Sequence, residues 1–217
     1  MLKKVFVAAS IVILTAGYAH AQINFGVRAG LNLTNMKMSY WESSIDGKMK
    51  PGIQLGIVGE LEITKFLAIQ PGLLFAQQGY INKKSFTGFS FEQTIALNYI
   101  QIPVNAVFKL DLNAVKLLGQ VGPYFGFGIN GKIKGDGHSE KITLGSGKDD
   151  YMKAFDFGFG LGTGVQYRFF QAIIGYNFGL ANIANTDDDM YDVIGVSKPE
   201  KAKNNGFVIT LTYLFGK

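Results

Sequence analysis

The chain has 217 residues, a formal net charge of +5, 47% hydrophobic and 13% aromatic residues, 28 Gly and no Cys. Without Cys it carries neither a disulfide framework nor a lipoprotein anchor, and its small, scattered positive excess does not argue for nucleic acid. The length suits one domain, and the mixture of apolar residues, aromatics and glycine points to β-structure.

The first predicted element is an export signal. Lys3 and Lys4 precede an uncharged apolar run over residues 5–17, and Ala19-His20-Ala21 sets small residues around a cleavage point. This is the three-part secretory pattern, and the run is too short to span a bilayer as a stable helix. The expected division is a signal peptide over residues 1–21 and one barrel domain over residues 22–217, starting at Gln22.

From Ile23 the period is two, the signature of strands. Ile23, Phe25, Val27, Ala29, Leu31 and Leu33 alternate with Asn24, Gly26, Arg28, Gly30, Asn32 and Thr34. A second strand sets Ile53, Leu55, Ile57 and Leu61 against Gln54, Gly56, Val58 and Glu60. Leu67, Ile69, Leu73 and Phe75 mark a third, and Ile100, Ile102, Val104, Ala106 and Phe108 a fourth, with Lys109 on its opposite face. Leu117, Val121, Phe125, Phe127 and Ile129 form a fifth. In the sixth, Phe155, Phe157, Phe159, Leu161, Val165 and Tyr167 alternate with Asp156, four glycines, Gln166 and Arg168. Ile174, Tyr176, Phe178 and Leu180 make the seventh, and Phe207, Ile209, Leu211, Tyr213 and Phe215 the eighth.

The links alternate too. Short ones are expected near residues 63–65, 111–114 and 168–170, and long loops near 36–51, 81–93, 131–151 and 182–204. Short turns on one side and long loops on the other are the pattern of an outer-membrane barrel with periplasmic turns and extracellular loops. The predicted fold is all-β, an eight-stranded antiparallel up-and-down transmembrane barrel.

Volume decides which face points outward. The bulky set holds roughly forty large side chains, far more than the interior of an eight-stranded barrel accepts. The opposite set is mostly Gly, Asn, Gln and Thr, which suits a narrow lumen. The bulky face therefore meets lipid, and closure follows because no backbone group can stay unpaired in hydrocarbon. Aromatics near strand ends, such as Phe25, Phe66, Phe108 and Tyr167 on the periplasmic side and Phe75, Phe127, Phe155 and Phe207 on the other, suit two interfacial girdles.

Several stretches resemble the PorT-like outer-membrane β-barrel family. They are Gly26-Val27-Arg28-Ala29-Gly30-Leu31-Asn32-Leu33, Gln70-Pro71-Gly72-Leu73-Leu74-Phe75, Tyr99-Ile100-Gln101-Ile102-Pro103-Val104, Gly122-Pro123-Tyr124 and the Gly-alternating strand around Gly158 to Gly164. Gln101 departs from the pattern, standing where the family often has an acidic residue. The resemblance implies a fold and an outer-membrane location. It implies outer-membrane lipid and lipopolysaccharide, the barrel assembly machinery, and envelope or secretion-system proteins as partners, with no cofactor. The founding member's link to type IX secretion does not pass to every similar barrel.

Little catalytic chemistry is legible. Beyond the signal there is one His, His138, so the usual zinc ligand sets are out of reach. His138, Ser139 and Glu140 are adjacent, and adjacent side chains on an extended segment point apart, so they form no triad by themselves. Residues 126–132 have phosphate-loop glycine spacing, but Ile133 stands where a hydroxyl is required and no helix follows. Asp187, Asp188, Asp189 and Asp192 lack EF-hand spacing and read as a solvated loop. Lys48, Lys50, Lys83 and Lys84 are open to two readings, contacts to lipid A phosphates or plain loop charges.

The candidate site is the lumen. Arg28, Glu60, Glu62, Lys109, Lys116, Asp156, Gln166 and Arg168 are expected inside, where isolated charges must be paired or hydrated. Arg28 and Glu60 are expected at similar depths as an ion pair. The expected role is structural or surface-interacting and non-enzymatic; the rivals are a small pore or a transport- or secretion-associated barrel, and a lipid A-modifying barrel enzyme.

Overall fold

The structure is a computed structural model, and it describes residues 23–39, 44–46, 48–86, 89–135, 138–145, 147, 150, 152–185 and 200–215. The expected signal peptide and the acidic run at 187–192 lie outside the described residues. Among the described residues there are ten strands: β1 (Ile23–Ser39), β2 (Ser44–Asp46), β3 (Lys48–Thr64), β4 (Leu67–Phe86), β5 (Phe89–Leu112), β6 (Val115–Gly135), β7 (His138–Ile142), β8 (Phe155–Tyr167), β9 (Phe170–Gly179) and β10 (Lys201–Phe215).

Eight of them form a closed antiparallel ring in the order β1-β3-β4-β5-β6-β8-β9-β10. The ring closes between β1 and β10, from Phe25↔Phe215 up to Ser39↔Lys201. β2 and β7 are short additions at the extracellular end, paired to β1 and β6. The periplasmic links are two-residue turns at Lys65-Phe66, Asn113-Ala114 and Arg168-Phe169. Asn113 (φ 68°) and Arg168 (φ 49°) take the left-handed backbone that such tight turns demand.

The faces follow the volume expectation. Phe25 is 66% exposed, Leu31 59% and Ile57 60%, whereas Asn24, Arg28 and Asn32 beside them are buried. The Gly-rich face of β8 turns inward, and at Gly158 this has a packing reason: a Cβ there would meet the Tyr124 ring (2.7 Å to Cε1) and the carbonyl of Phe178.

Three of the expected long loops are largely strand. β1 continues to Ser39, β3 begins at Lys48, β4 and β5 run to Phe86 and from Phe89, and β6 reaches Gly135. Crossing the bilayer takes only about 9–11 residues per strand, so the excess stands above the membrane. There the alternation changes phase. On β1 the outward set turns polar at Asn35, Lys37 and Ser39, and the inward set turns apolar at Met36 and Met38. On β5 the outward set is Asn98, Ala96 and Thr94 while Tyr99, Leu97 and Ile95 are buried inside. Outside hydrocarbon, water lies around the sheet and the lumen becomes the driest place available. The result is an apolar core within the extracellular end of the barrel: Met36, Met38, Tyr80, Ile95, Leu97, Tyr99, Met152, Ile183, Ala184 and Ala202.

Candidate functional site

The lumen holds three layers. The lowest, just above the periplasmic turns, is a charged network centred on Glu60, which is fully buried. Lys109 Nζ donates to Glu60 Oε1 at 2.8 Å and to Glu62 Oε1 at 2.9 Å. Gln171 Nε2 donates to Glu60 Oε2 at 2.8 Å, and Gln70 Nε2 donates to the same oxygen at 3.2 Å. Gln70 also donates to Gln171 Oε1 at 3.0 Å, and Gln171 to Gln166 Oε1 at 3.2 Å. Arg28 donates from Nε to Thr212 Oγ1 at 2.9 Å and from Nη2 to Gln70 Oε1.

These side chains come from β1, β3, β4, β5, β8, β9 and β10, seven of the eight ring strands. The two cations, Arg28 and Lys109, balance the two carboxylates, Glu60 and Glu62. A buried charge is tolerable only when paired and hydrogen-bonded; here the charges come from β1, β3 and β5, and the neutral hydrogen-bond partners from β4, β8, β9 and β10. The network therefore ties the barrel wall across its own interior.

The expected Arg28–Glu60 relation changes in form. The β1–β3 register sets Arg28 opposite Gly56 and Asn24 opposite Glu60, so the two residues are not level. Arg28 reaches the Glu60 carboxylate by way of the Gln70 amide, and the cation seated on Glu60 is Lys109, two strands further round. Arg168, expected in the lumen, is instead exposed in the β8–β9 turn, its guanidinium 5.4 Å from the Tyr167 ring centroid. Two-residue closure of the hairpin takes Arg168 out of strand alternation, and only its carbonyl serves the lumen, accepting from Gln166 Nε2 at 3.0 Å. Lys116 is half-exposed near Asp111, at 3.8 Å.

The middle layer is a polar chamber. One cavity of about 30 Å³ is lined by Arg28, Gln54, Gln101, Asn105, Gln120 and Thr210, among others. A second, of about 10 Å³, lies by Asn32, Thr34, Gln78 and Asn204 and shares Gln101 and Tyr124 with the first. Gln120 Oε1 and Thr210 Oγ1 lack a partner at the first, and Asn32 Oδ1 and Asn204 Oδ1 at the second. Polar walls with unpaired acceptors and room for about 10–15 Å³ per site are what a buried water requires.

Asp156 belongs above this chamber and not to the Glu60 network. It accepts from the Phe157 amide at 2.8 Å, from Asn204 Nδ2 at 3.1 Å and from the Tyr124 hydroxyl. Asn204 also donates to the Tyr99 hydroxyl at 3.4 Å. Among the described residues Asp156 has no ion-pair partner. Tyr99 joins this cluster to the apolar core above it.

The top layer closes the extracellular mouth. Residues after β7 and β9 fold inward, with bridges Leu144↔Met152 and Met152↔Ala184. The Lys153 amide donates to the Ile183 carbonyl at 3.0 Å, and the Ile183 amide to the Ala202 carbonyl at 2.9 Å. These bonds satisfy loop backbone at a place where water is excluded. On β7, Ser139 stands opposite Lys134 and Glu140 opposite Ile133, on alternate faces, so the adjacent pair does not converge.

Sequence reasoning missed Gln70, Gln171, Thr212, Tyr99 and Asn204 as members of these layers. All sit on inward positions, but an uncharged amide or hydroxyl gives no signal until the register fixes its neighbours.

None of the curated proteins matches this chain. Among solved structures, the attachment invasion locus protein Ail of Yersinia pestis is 15% identical, with a TM-score of 0.44 over 88% of this chain and 98% of that one. Neisserial surface protein A is 15% identical, with a TM-score of 0.44 over 87% and 96%. A major outer membrane protein of Thermus thermophilus is 14% identical, with a TM-score of 0.44 over 89% and 99%. The family model described as outer membrane protein beta-barrel domain matches residues 18–185, well over half of the chain. The chain belongs to the outer membrane protein beta-barrel domain family.

Proposed function

We propose that this protein is a closed, non-conducting barrel of the outer membrane with a structural or surface-interaction role and no enzymatic activity. The observation that carries the reading is closure at both ends: the Glu60 network spans the periplasmic half, and the Met36–Tyr99–Ile183 core fills the extracellular half. Among the described residues the space between them holds cavities of about 30 and 10 Å³, each far too small for a solute path. Planar-bilayer recordings of the refolded protein should show no steady channel; a stable unitary conductance would establish the pore reading in its place.

The finer placement among PorT-like barrels rests on the five sequence stretches quoted above. We also propose export through a cleaved signal peptide. Protein extracted from outer membranes should give an N-terminal sequence starting within about a residue or two of Gln22. An intact Met1 in that fraction would sink this route. A lipid A-modifying activity is tested separately, by mass spectrometry of lipid A from cells with and without the protein, where no mass difference is expected.

A further inference from the structure

Three prolines interrupt the wall in one sector of the barrel, within the lipid belt. Between β3 and β4 the ladder breaks between Val58↔Gly72 and Leu61↔Ile69, and the unchanged register sets Gly59 opposite Pro71. Between β4 and β5 it breaks between Pro71↔Val104 and Leu74↔Gln101, with Gly72 opposite Pro103. Between β5 and β6 it breaks between Pro103↔Tyr124 and Ala106↔Val121, with Val104 opposite Pro123. At the other five junctions of the ring, pairing among the described residues is unbroken through the lipid belt.

Proline has no N–H, so at each break one donor to the neighbouring strand is missing. In hydrocarbon no water takes its place. Three such losses on adjacent junctions make this the most weakly paired sector of the wall. The β5–β6 break stands directly between lipid and the polar chamber. Its outward residues, Val104 and Pro123, are exposed on the lipid face. Its inward residues, Asn105 and Gly122, both line the cavity of about 30 Å³. A Cβ on Gly122 would lie 2.1 Å from the Val104 carbonyl oxygen, so glycine is required there and no side chain screens the chamber from the break.

We propose that the wall opens laterally between β5 and β6, and that small uncharged molecules with hydrogen-bonding groups pass there between the bilayer and the chamber. Gln120 Oε1 and Thr210 Oγ1, unpartnered inside, are the groups that would receive them, and the space suits one or two groups of water size. This route goes beyond closure of the two ends, which governs access from water and fails independently by showing conductance.

The test uses the full mature barrel with Asn105→Cys, folded into vesicles, and two methanethiosulfonates of the same thiol chemistry. One is the small uncharged methyl reagent and the other its charged sulfonatoethyl analogue. The methyl reagent should modify the thiol of the folded protein, and the charged one should not. Adding Pro123→Ala restores an N–H opposite the Val104 carbonyl and should slow the methyl reagent by about tenfold, the rate equivalent of one hydrogen bond. Pro103→Ala gives a second reading, on the neighbouring junction, should the first variant fail to fold. Ala202→Cys, fully buried in the mouth core, reports opening of the mouth or of the whole barrel, and its modification should be slower and indifferent to Pro123→Ala. Failure of the methyl reagent to reach the Asn105→Cys thiol overturns the proposal. So does a rate there that neither proline variant changes, or equal slowing at both thiols, which would indicate entry by global unfolding.

Discussion

Glu60→Gln should destabilise the folded barrel by about 3–5 kcal/mol, the usual cost of removing one partner from a buried ion pair. The substitution keeps the shape but leaves Lys109, whose side chain is 1% exposed, with only the half-buried Glu62 as counter-charge. Lys109→Met should cost a similar amount, since the Glu60 carboxylate then depends on the amides of Gln70 and Gln171. In urea titrations of the protein refolded into vesicles, the double variant should lose clearly less than the sum of the singles. Coupling of Glu60 to Arg28 should be weaker, because Gln70 stands in the path. Strict additivity of Glu60→Gln and Lys109→Met would show that the two do not share a dry site.

Leu161→Arg should cost about 2–4 kcal/mol in the same titration, as for a cation on the lipid face near the bilayer midplane. Leu161 is mid-strand on β8, between Val121 of β6 and Tyr176 of β9, and faces outward. Its lumen-facing neighbours should respond differently, through volume. Gly158→Val would drive a side chain into the Tyr124 ring and the β9 backbone, and overpacking of this kind typically costs about 1–3 kcal/mol or more. That cost should persist in detergent, where the lipid term for Leu161→Arg shrinks. If both variants behaved alike in the two media, the assignment of faces on β8 would be wrong.

The membrane part of the fold was legible because hydrocarbon imposes one rule on every strand. Bulky residues at Phe25, Ile57, Val104 and Leu161 repeat at period two, and tight turns punctuate them. The extracellular part was hidden by the phase change. Met36 and Met38 follow Thr34 on the inward set, and Ile95, Leu97 and Tyr99 precede Gln101 on theirs; a scan for one continuous alternation stops where water replaces lipid. Loops were expected there, and the sheet in fact continues with its polarity reversed.

The site was legible in its charges and not in its connections. Arg28, Glu60, Glu62, Lys109 and Gln166 were all expected inside, and they share one network. Asp156 is inside but joins the tyrosine cluster, because β8 runs nearly the whole wall and its first residues lie at the far end from its last. Arg168 left the lumen because a two-residue turn needed its position. Pairing Lys109 with Glu60 required knowing that β3 and β5 face each other across the bend of the ring, which no local pattern encodes.

Because the chain has no native Cys, one engineered thiol can report on the closed lumen directly. Asn105 is 5% exposed and lines the central cavity, beside Gln70 of the Glu60 network. In the Asn105→Cys protein folded into vesicles, a charged, membrane-impermeant maleimide should leave the thiol unmodified when supplied on both sides, and should label it fully after unfolding in urea. Rapid labelling of the folded protein would contradict a lumen sealed at both ends.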